Sequence, residues 1–210
     1  TFNEIKSLTK ILTKLSKLKF KILIVNDAST DNTKKYLNSC QISFIDNKSN
    51  IGYEASLIKG MSFIMKNFNK TKNIITFDAD GEHKVSDLNK IVKFFSKNKL
   101  DLLICNRTNI QRFSEKIVNF FFNLKFKMYD PLSGLKVYKK TVLKKYLQKV
   151  QKNFFLVDLT VFICSNNYKV KNFPIKCNIL KNRQPRIGNS LQANFKIFKI
   201  LGKVISNDNK

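Results

Sequence analysis

Lys21–Thr33 reads KILIVNDASTDNT, and the fold is decided there. Lys21–Val25 is a short apolar run with β-branched members, the pattern of a strand buried on both faces. It stops at Asn26-Asp27-Ala28-Ser29, a turn cluster, and a short helix is expected from Asp31. A buried strand that ends in a polar turn and feeds a helix is the repeating unit of an α/β domain.

The unit recurs on both sides. Upstream, Ile5, Leu8, Ile11, Leu12, Leu15 and Leu18 form a helical stripe within residues 3–18. Downstream, Ile42–Ile45 reads as a strand ended by the polar loop Asp46–Asn50, and Gly52–Phe68 as a helix with Leu57, Met61, Ile64, Met65 and Phe68 on its apolar face. Asn73–Phe77 is a third strand, closed by Asp78-Ala79-Asp80. Ser86-Asp87 is placed to cap a helix reaching about Lys97, and Leu100–Cys105 is a fourth strand. The alternation predicts an α/β fold with a mainly parallel sheet. Ligands of such sheets bind beyond the carboxyl ends of the strands, where the acidic clusters lie.

After Cys105 the alternation breaks. Gln111–Met128 is basic and rich in phenylalanine; Lys136–Tyr138 is a candidate strand, followed by a helix to about Val150. Phe155–Asn166 reads as a helix and Lys169–Leu180 as extended chain. The expected organisation is one domain over 1–190, split near 105 into two halves (1–105 and 106–190), with an amphipathic tail over 191–210. The chain opens at Thr1 inside what reads as a motif, so a strand upstream of it is expected.

Composition narrows the partners. The chain has 210 residues, and 40 Lys and Arg against 14 Asp and Glu give a formal net charge of +26. A hydrophobic fraction of 43% supports a folded core and argues against a disordered chain. The charge fits nucleic acid, an anionic membrane surface or a phosphorylated substrate. Most of it is lysine spread along the chain. The arginines, Arg107, Arg112, Arg183 and Arg186, mark places that need a planar two-pronged donor. Cys40, Cys105, Cys164 and Cys177 lack C-x-x-C spacing and read as reduced structural residues rather than a zinc site.

Two motifs carry chemistry. In FDADGEH, Phe77–His83, the oxygens of Asp78, Asp80 and Glu82 alternate along a strand end and can gather around one hard divalent cation, Mg or Mn, with substrate phosphates completing its shell. The plainer reading is a solvated turn. In VNDASTDNT, Asp27 leaves a strand toward the same crevice, where its carboxylate can accept hydrogen bonds from a nucleobase or ribose; helix capping is the plainer reading. Asp31 and Asn32 read as turn and helix-start residues, and His83 as structural rather than a base.

The ordered set TFNE at Thr1–Glu4, VNDASTDNT, Asn50-Ile51-Gly52 and FDADGEH resembles glycosyltransferase family 2. Asn106-Arg107, Arg112 with Ser114, YDPLSGLKVYKK, Phe155–Asp158 and PRIGNS at 185–190 resemble its dolichol-phosphate mannosyltransferase and polyprenyl-phosphate hexosyltransferase branch. The resemblance implies a GT-A fold for a catalytic domain over 1–190 with a donor half (1–105) and an acceptor half (106–190), a nucleotide-sugar donor (GDP-mannose or a UDP-hexose), a divalent metal and a polyprenyl phosphate acceptor. It implies donor contacts from Asn3, Glu4, Asp27, Asp78, Ala79, Asp80 and Arg186. Arg107 and Arg112 would grip phosphates and, with Asp80, carry catalysis; Ser114, Asp130, Ser133, Gly134 and Ser190 would line the sugar and acceptor pocket. Two departures leave the donor open: Asn26-Asp27-Ala28-Ser29 stands where the family has Asp-Asp-Gly-Ser, and Gly188-Asn189-Ser190 where it has Gly-Lys-Ser.

The phenylalanines of 111–128 alternate with Arg112, Lys116, Lys125 and Lys127, a pattern suited to an interfacial helix with an aromatic and a cationic face. A peripheral location on the cytoplasmic face of a membrane is therefore expected, and nucleic acid is not, since no recognition motif accompanies the charge.

Overall fold

A computed structural model of the chain describes residues 1–110, 112–149, 156–178 and Gly202. The expected elements appear in order: α1 (Ile5–Leu15), β1 (Leu23–Asn26), α2 (Thr33–Ser39), β2 (Ser43–Asp46), α3 (Tyr53–Asn67), β3 (Asn73–Thr76), α4 (Leu88–Lys97) and β4 (Leu102–Arg107). They continue with α5 (Phe113–Phe126), β5 (Lys136–Lys139), α6 (Lys140–Lys149), α7 (Leu156–Ser165) and β6 (Val170–Ile175). One local expectation fails. A 3-10 turn over Val85–Asp87 precedes α4, and Asp87 makes no side-chain capping hydrogen bond. The turn itself brings the chain into the helix.

β1 and β2 pair in parallel, and the other strands form a sheet in the order β3-β5-β4-β6. β6 runs parallel to β4, whereas β5 is antiparallel to both of its neighbours. Three strands of that sheet therefore share one direction and β5 opposes them. The reason lies in the segment between β4 and β5. Arg107 at the end of β4 bonds Asp130 just before β5, so the segment leaves and returns at one edge and β5 must run away from it. The reversal brings the turn preceding β5 to the edge where β3, β4 and β6 end.

Strand alternation divides the core into two layers. Leu102 and Ile104 of β4 face a cluster with Met61 of α3, Phe122 of α5, Leu143 of α6 and Leu159 of α7. Leu103 and Cys105 face the opposite cluster, built on Leu8 and Leu12 of α1 and Ile91 and Phe95 of α4. All four β4 residues are fully buried. Each buried aliphatic side chain of this kind contributes roughly 1.5–3 kcal/mol relative to exposure.

α5 departs from a simple amphipathic helix. Ser114, Val118 and Phe122 are buried, while Phe113, Phe120 and Leu124 on the opposite side are 76%, 64% and 60% exposed. The helix has two apolar faces, and only one is used by the core. Among the described residues no helix is long and apolar enough to cross a membrane. Apart from Gly202, the tail over 191–210 lies outside the described residues, as do Arg186, Gly188 and Ser190.

Candidate active site

The amino-terminal segment and the loop after β1 are stitched together. Thr1 donates its amino group to Val25 O at 2.7 Å, and Asp27 N donates to Thr1 O at 2.9 Å. Asn3 Oδ1 accepts the Thr30 amide at 2.8 Å, while Asn3 N donates to Ser29 Oγ at 3.0 Å. Ser7 Oγ donates to Ala79 O at 2.7 Å, tying α1 to the FDADGEH loop, and lies 2.9 Å from Glu4 Oε2. Asp31 serves as the expected helix-start residue, accepting the amides of Thr33 at 3.0 Å and Ile5 at 3.2 Å.

Asp27 is buried and occupied. Its Oδ1 accepts from Asn47 Nδ2 at 2.8 Å and Ile51 N at 2.9 Å, and its Oδ2 from Gly52 N at 2.8 Å. Burial opposes its charge, yet these amides and the Asn47 and Ser56 side chains hold its carboxyl below the ordinary carboxylate range. In this arrangement Asp27 shapes the entry into α3. The departure at Asn26 has a local reason. Its Nδ2 donates to Asp46 Oδ1 at 2.7 Å, where an aspartate would set two carboxylates against each other. Ala28, at the family's glycine position, adopts φ +58°, in the left-handed region that favours glycine.

The FDADGEH loop follows β3. Asp78 Oδ1 accepts from Tyr53 Oη at 2.9 Å, and its Oδ2 lies 4.0 Å from Nε2 of the buried His83. Gly134 presses on the same carboxylate: a Cβ there would collide with Asp78 Oδ2 and Cγ. Asp80 Oδ1 accepts the Glu82 amide at 2.9 Å, while Glu82 Oε1 lies 3.8 Å from Arg107 Nη1. The loop folds onto itself, so the expected three-carboxylate cage of Asp78, Asp80 and Glu82 is not assembled. Among the described residues no group of three His, Cys, Asp or Glu side chains converges to hold a metal ion. The donor chemistry still fits a hard cation, since Mg is commonly held by one or two carboxylates with substrate phosphates supplying the rest. Burial, reinforced by Asp80 and Asp78 and opposed by Arg107, raises the Glu82 carboxyl above its ordinary range.

After β4, Arg107 forms an ionic hub. Its Nε and Nη2 donate to Asp130 Oδ2 and Oδ1, both at 2.9 Å, and Nη2 also donates to Glu115 Oε2 at 2.9 Å. The fork expected to grip a phosphate is thus engaged by carboxylates. Arg112, 37% exposed on its side chain, stands at the start of α5 with Nη1 3.8 Å from Glu115 Oε1. Glu115 therefore lies between the two arginines. Ser114 is buried in the first turn of α5, and Ser133 is buried with its Oγ donating to Cys105 O at 2.7 Å. Lys136, fully buried, donates from Nζ to Pro131 O at 2.8 Å and Ser133 O at 2.7 Å, pinning the turn between Asp130 and Gly134. Beyond β6, Asn178 donates from its amide to Glu82 O at 2.9 Å and from Nδ2 to Gly81 O at 2.8 Å.

The structure thus brings Asp78, Asp80, Glu82, Arg107, Asp130 and Gly134 to one edge. It places Asn3, Glu4 and Asp27 in the brace beside it. Sequence reading missed Tyr53, Asn47, Glu115 and Lys136. A helix-start tyrosine stands outside the quoted motifs, and Lys136, although within the run YDPLSGLKVYKK, reads as a strand residue until the antiparallel course of β5 places it in the site.

The family model for glycosyl transferase family 2 matches residues 1–154. The chain belongs to that family. An uncharacterised protein of Methanocaldococcus jannaschii, MJ0544, is 34% identical over 48% of this chain and 46% of its own length. A second from that organism, MJ1222, is 28% identical over 97% of this chain and 88% of its own length. The chain spans about half the length of MJ0544. Among solved structures it resembles S. aureus TarS 1-349 in complex with UDP-GlcNAc, with a TM-score of 0.66 at 16% identity over 100% of this chain and 66% of that one. It also resembles M. tuberculosis glucosyl-3-phosphoglycerate synthase in complex with Mn2+ and UDP-glucose, with a TM-score of 0.72 at 12% identity over 97% and 76%. These likenesses establish the GT-A type of α/β fold for this glycosyltransferase family member.

Proposed function

We propose that this family 2 protein transfers a hexose from a nucleotide sugar to a polyprenyl phosphate, with inversion and with a divalent metal, at the cytoplasmic face of a membrane. Family membership supports glycosyl transfer. The acceptor reading rests on α5: Phe113, Phe120 and Leu124 form an outward apolar face, with the exposed Lys116 and Lys127 nearby. Such a helix can sit in a lipid interface, where each nearby lysine contributes about 1 kcal/mol on an anionic leaflet. A lipid-linked acceptor requires that location.

A phosphate acceptor is ionised at neutral pH, so no strong general base is needed. Its oxygen attacks the anomeric carbon, a new C–O bond forms, and the bond to the departing nucleoside diphosphate breaks. The product is a β-linked polyprenyl-phosphate sugar. Asp80 and Glu82, with Asp78, would hold Mg or Mn, which when bound offsets charge on the leaving diphosphate. Arg112 is the more accessible of the two described arginines for a phosphate. Arg107 would act through the hub that aligns Glu115 and Asp130. The motif resemblance also assigns phosphate contacts to Arg186 and Ser190, which lie outside the described residues.

GDP-mannose follows from the motif resemblance. A UDP-hexose is the second reading, favoured by the UDP-sugars named with TarS and the synthase. A panel of radiolabelled GDP- and UDP-sugars with Mn or Mg and a short polyprenyl phosphate tests both. Sugar transfer into the lipid phase is the expected result. Transfer only to soluble acceptors would overturn the lipid reading. Salt-sensitive RNA binding without turnover would overturn the enzyme reading.

A further inference from the structure

We propose that Tyr53 is a positioning residue that fixes the Asp78 carboxylate for the nucleotide-sugar donor; the inference rests on the donor-site reading of Asp78 given above. Tyr53 is the first residue of α3 and is 44% exposed. Its place is set from behind. Gly52 takes φ +89°, and the Ile51 and Gly52 amides donate to the two oxygens of Asp27 at 2.9 and 2.8 Å. The buried carboxylate of the β1 loop thus holds the backbone on which Tyr53 stands. From there Oη reaches 2.9 Å to Asp78 Oδ1.

The opposite side of Asp78 is fixed as well. Gly134 lies so close that any side chain there would collide with Oδ2. A carboxylate held by a hydrogen bond at one oxygen and by backbone at the other has little freedom to rotate. A phenol suits this task. It donates one hydrogen bond without bringing a positive charge to the carboxylate, as a lysine in the same place would. Partners that orient a ligating or contacting group typically change affinity about 10–100-fold when removed.

The test uses the whole chain, Mn2+ and UDP or GDP as probes, with calorimetric binding as the readout. Tyr53→Phe keeps the ring and removes the hydroxyl. It should weaken Mn-dependent nucleotide binding about tenfold, with an unchanged thermal midpoint. In an Asp78→Asn background the same change should cost less than about twofold, because its effect passes through Asp78. Binding by Tyr53→Phe equal to wild type would overturn the proposal, as would losses that multiply in the double variant. A wild-type protein that binds neither nucleotide overturns the donor-site reading and this inference with it, whereas the first two failures leave the donor site standing.

Discussion

Asp27, after β1, and Asp130, before β5, are both nearly buried carboxylates beside the candidate site, and their partners differ in kind. Asp27 accepts from two backbone amides and the Asn47 side chain, all neutral. Asp130 accepts the guanidinium fork of Arg107. Neutral donors leave a carboxylate charged and use it to shape backbone. A cation pairs with the carboxylate and is itself occupied in doing so. The amino-terminal half therefore offers an acidic loop of Asp78, Asp80 and Glu82, suited to a cation. The half after β4 offers an ionic hub whose arginine already has its Nε and Nη2 committed to carboxylates.

The largest effect should come from the acidic loop. Asp80→Asn removes charge from the loop while keeping the side chain's size. Metal-dependent transfer should fall on the order of 10³-fold while the fold persists, since lost charge stabilisation at a leaving group of this kind is worth several kcal/mol. Turnover at the wild-type rate would show that the loop only shapes backbone, as Asp27 does.

Next in size is the hub. Arg107→Met keeps much of the volume and strands Asp130 and Glu115 without their shared cation. Breaking a buried pair from one side costs about 3–5 kcal/mol, which lowers the melting midpoint by roughly 6–20 °C in a chain of this size. Arg107→Lys should lose less, because charge survives while the two-pronged contact does not. A midpoint unchanged in Arg107→Met would mean that the guanidinium is available to substrate, and the contrast between the halves would collapse.

The same contrast explains what could be read in advance. The strands and candidate carboxylates of the amino-terminal half were legible because their signals are local, although the bonds that brace them are not. Apolar runs end in Asp27 and Asp78, and Asp31 caps within two residues of its own position. The hub was not legible, because Arg107 meets Asp130 across 23 residues that include the whole of α5. The motif reading named both residues without pairing them. It assigned the arginine to a phosphate because a sequence shows a fork and not what fills it. The three carboxylates are not gathered for a related reason: alternate spacing puts them on one loop, but Asp80 Oδ1 accepts the Glu82 amide two residues on.

Lys136, buried between the two halves' carboxylates, responds to pH. Burial pushes its ammonium down to about 8 from 10.5, with Asp130 and Asp78 pulling it up and Arg107 pushing it down. A depressed value on a cation means that the unfolded chain binds this proton more tightly. Between pH 8 and 10.5 the unfolded chain keeps a proton that the folded chain has released, so the Lys136 contribution makes the protein more stable as pH rises through that window. The gain should be about 3 kcal/mol, read as the difference in pH slope between wild type and Lys136→Met. Lys136→Met also leaves Pro131 O and Ser133 O without their donor, which lowers stability at every pH, so the slope and not the offset is the readout. Equal slopes would show that the two carbonyls keep the ammonium charged.

The smallest effect returns to the loop that decides the fold. Ala28 holds φ +58° where the family has glycine, and a Cβ in the left-handed region costs roughly 1–2 kcal/mol. Its neighbours enforce the conformation: Ser29 Oγ donates to Asn26 Oδ1 at 2.5 Å and accepts Asn3 N at 3.0 Å, so the turn cannot relax without losing both bonds. Ala28→Gly removes the strain but gives the unfolded chain more freedom, which offsets part of the gain. The net should be a stabilisation of about 0.5–1 kcal/mol, or a rise of roughly 1–4 °C in the melting midpoint. Destabilisation instead would mean that the Asn3–Ser29–Asn26 brace does not hold the turn in solution. The amino-terminal half would then lose the rigidity that sets it apart from the hub.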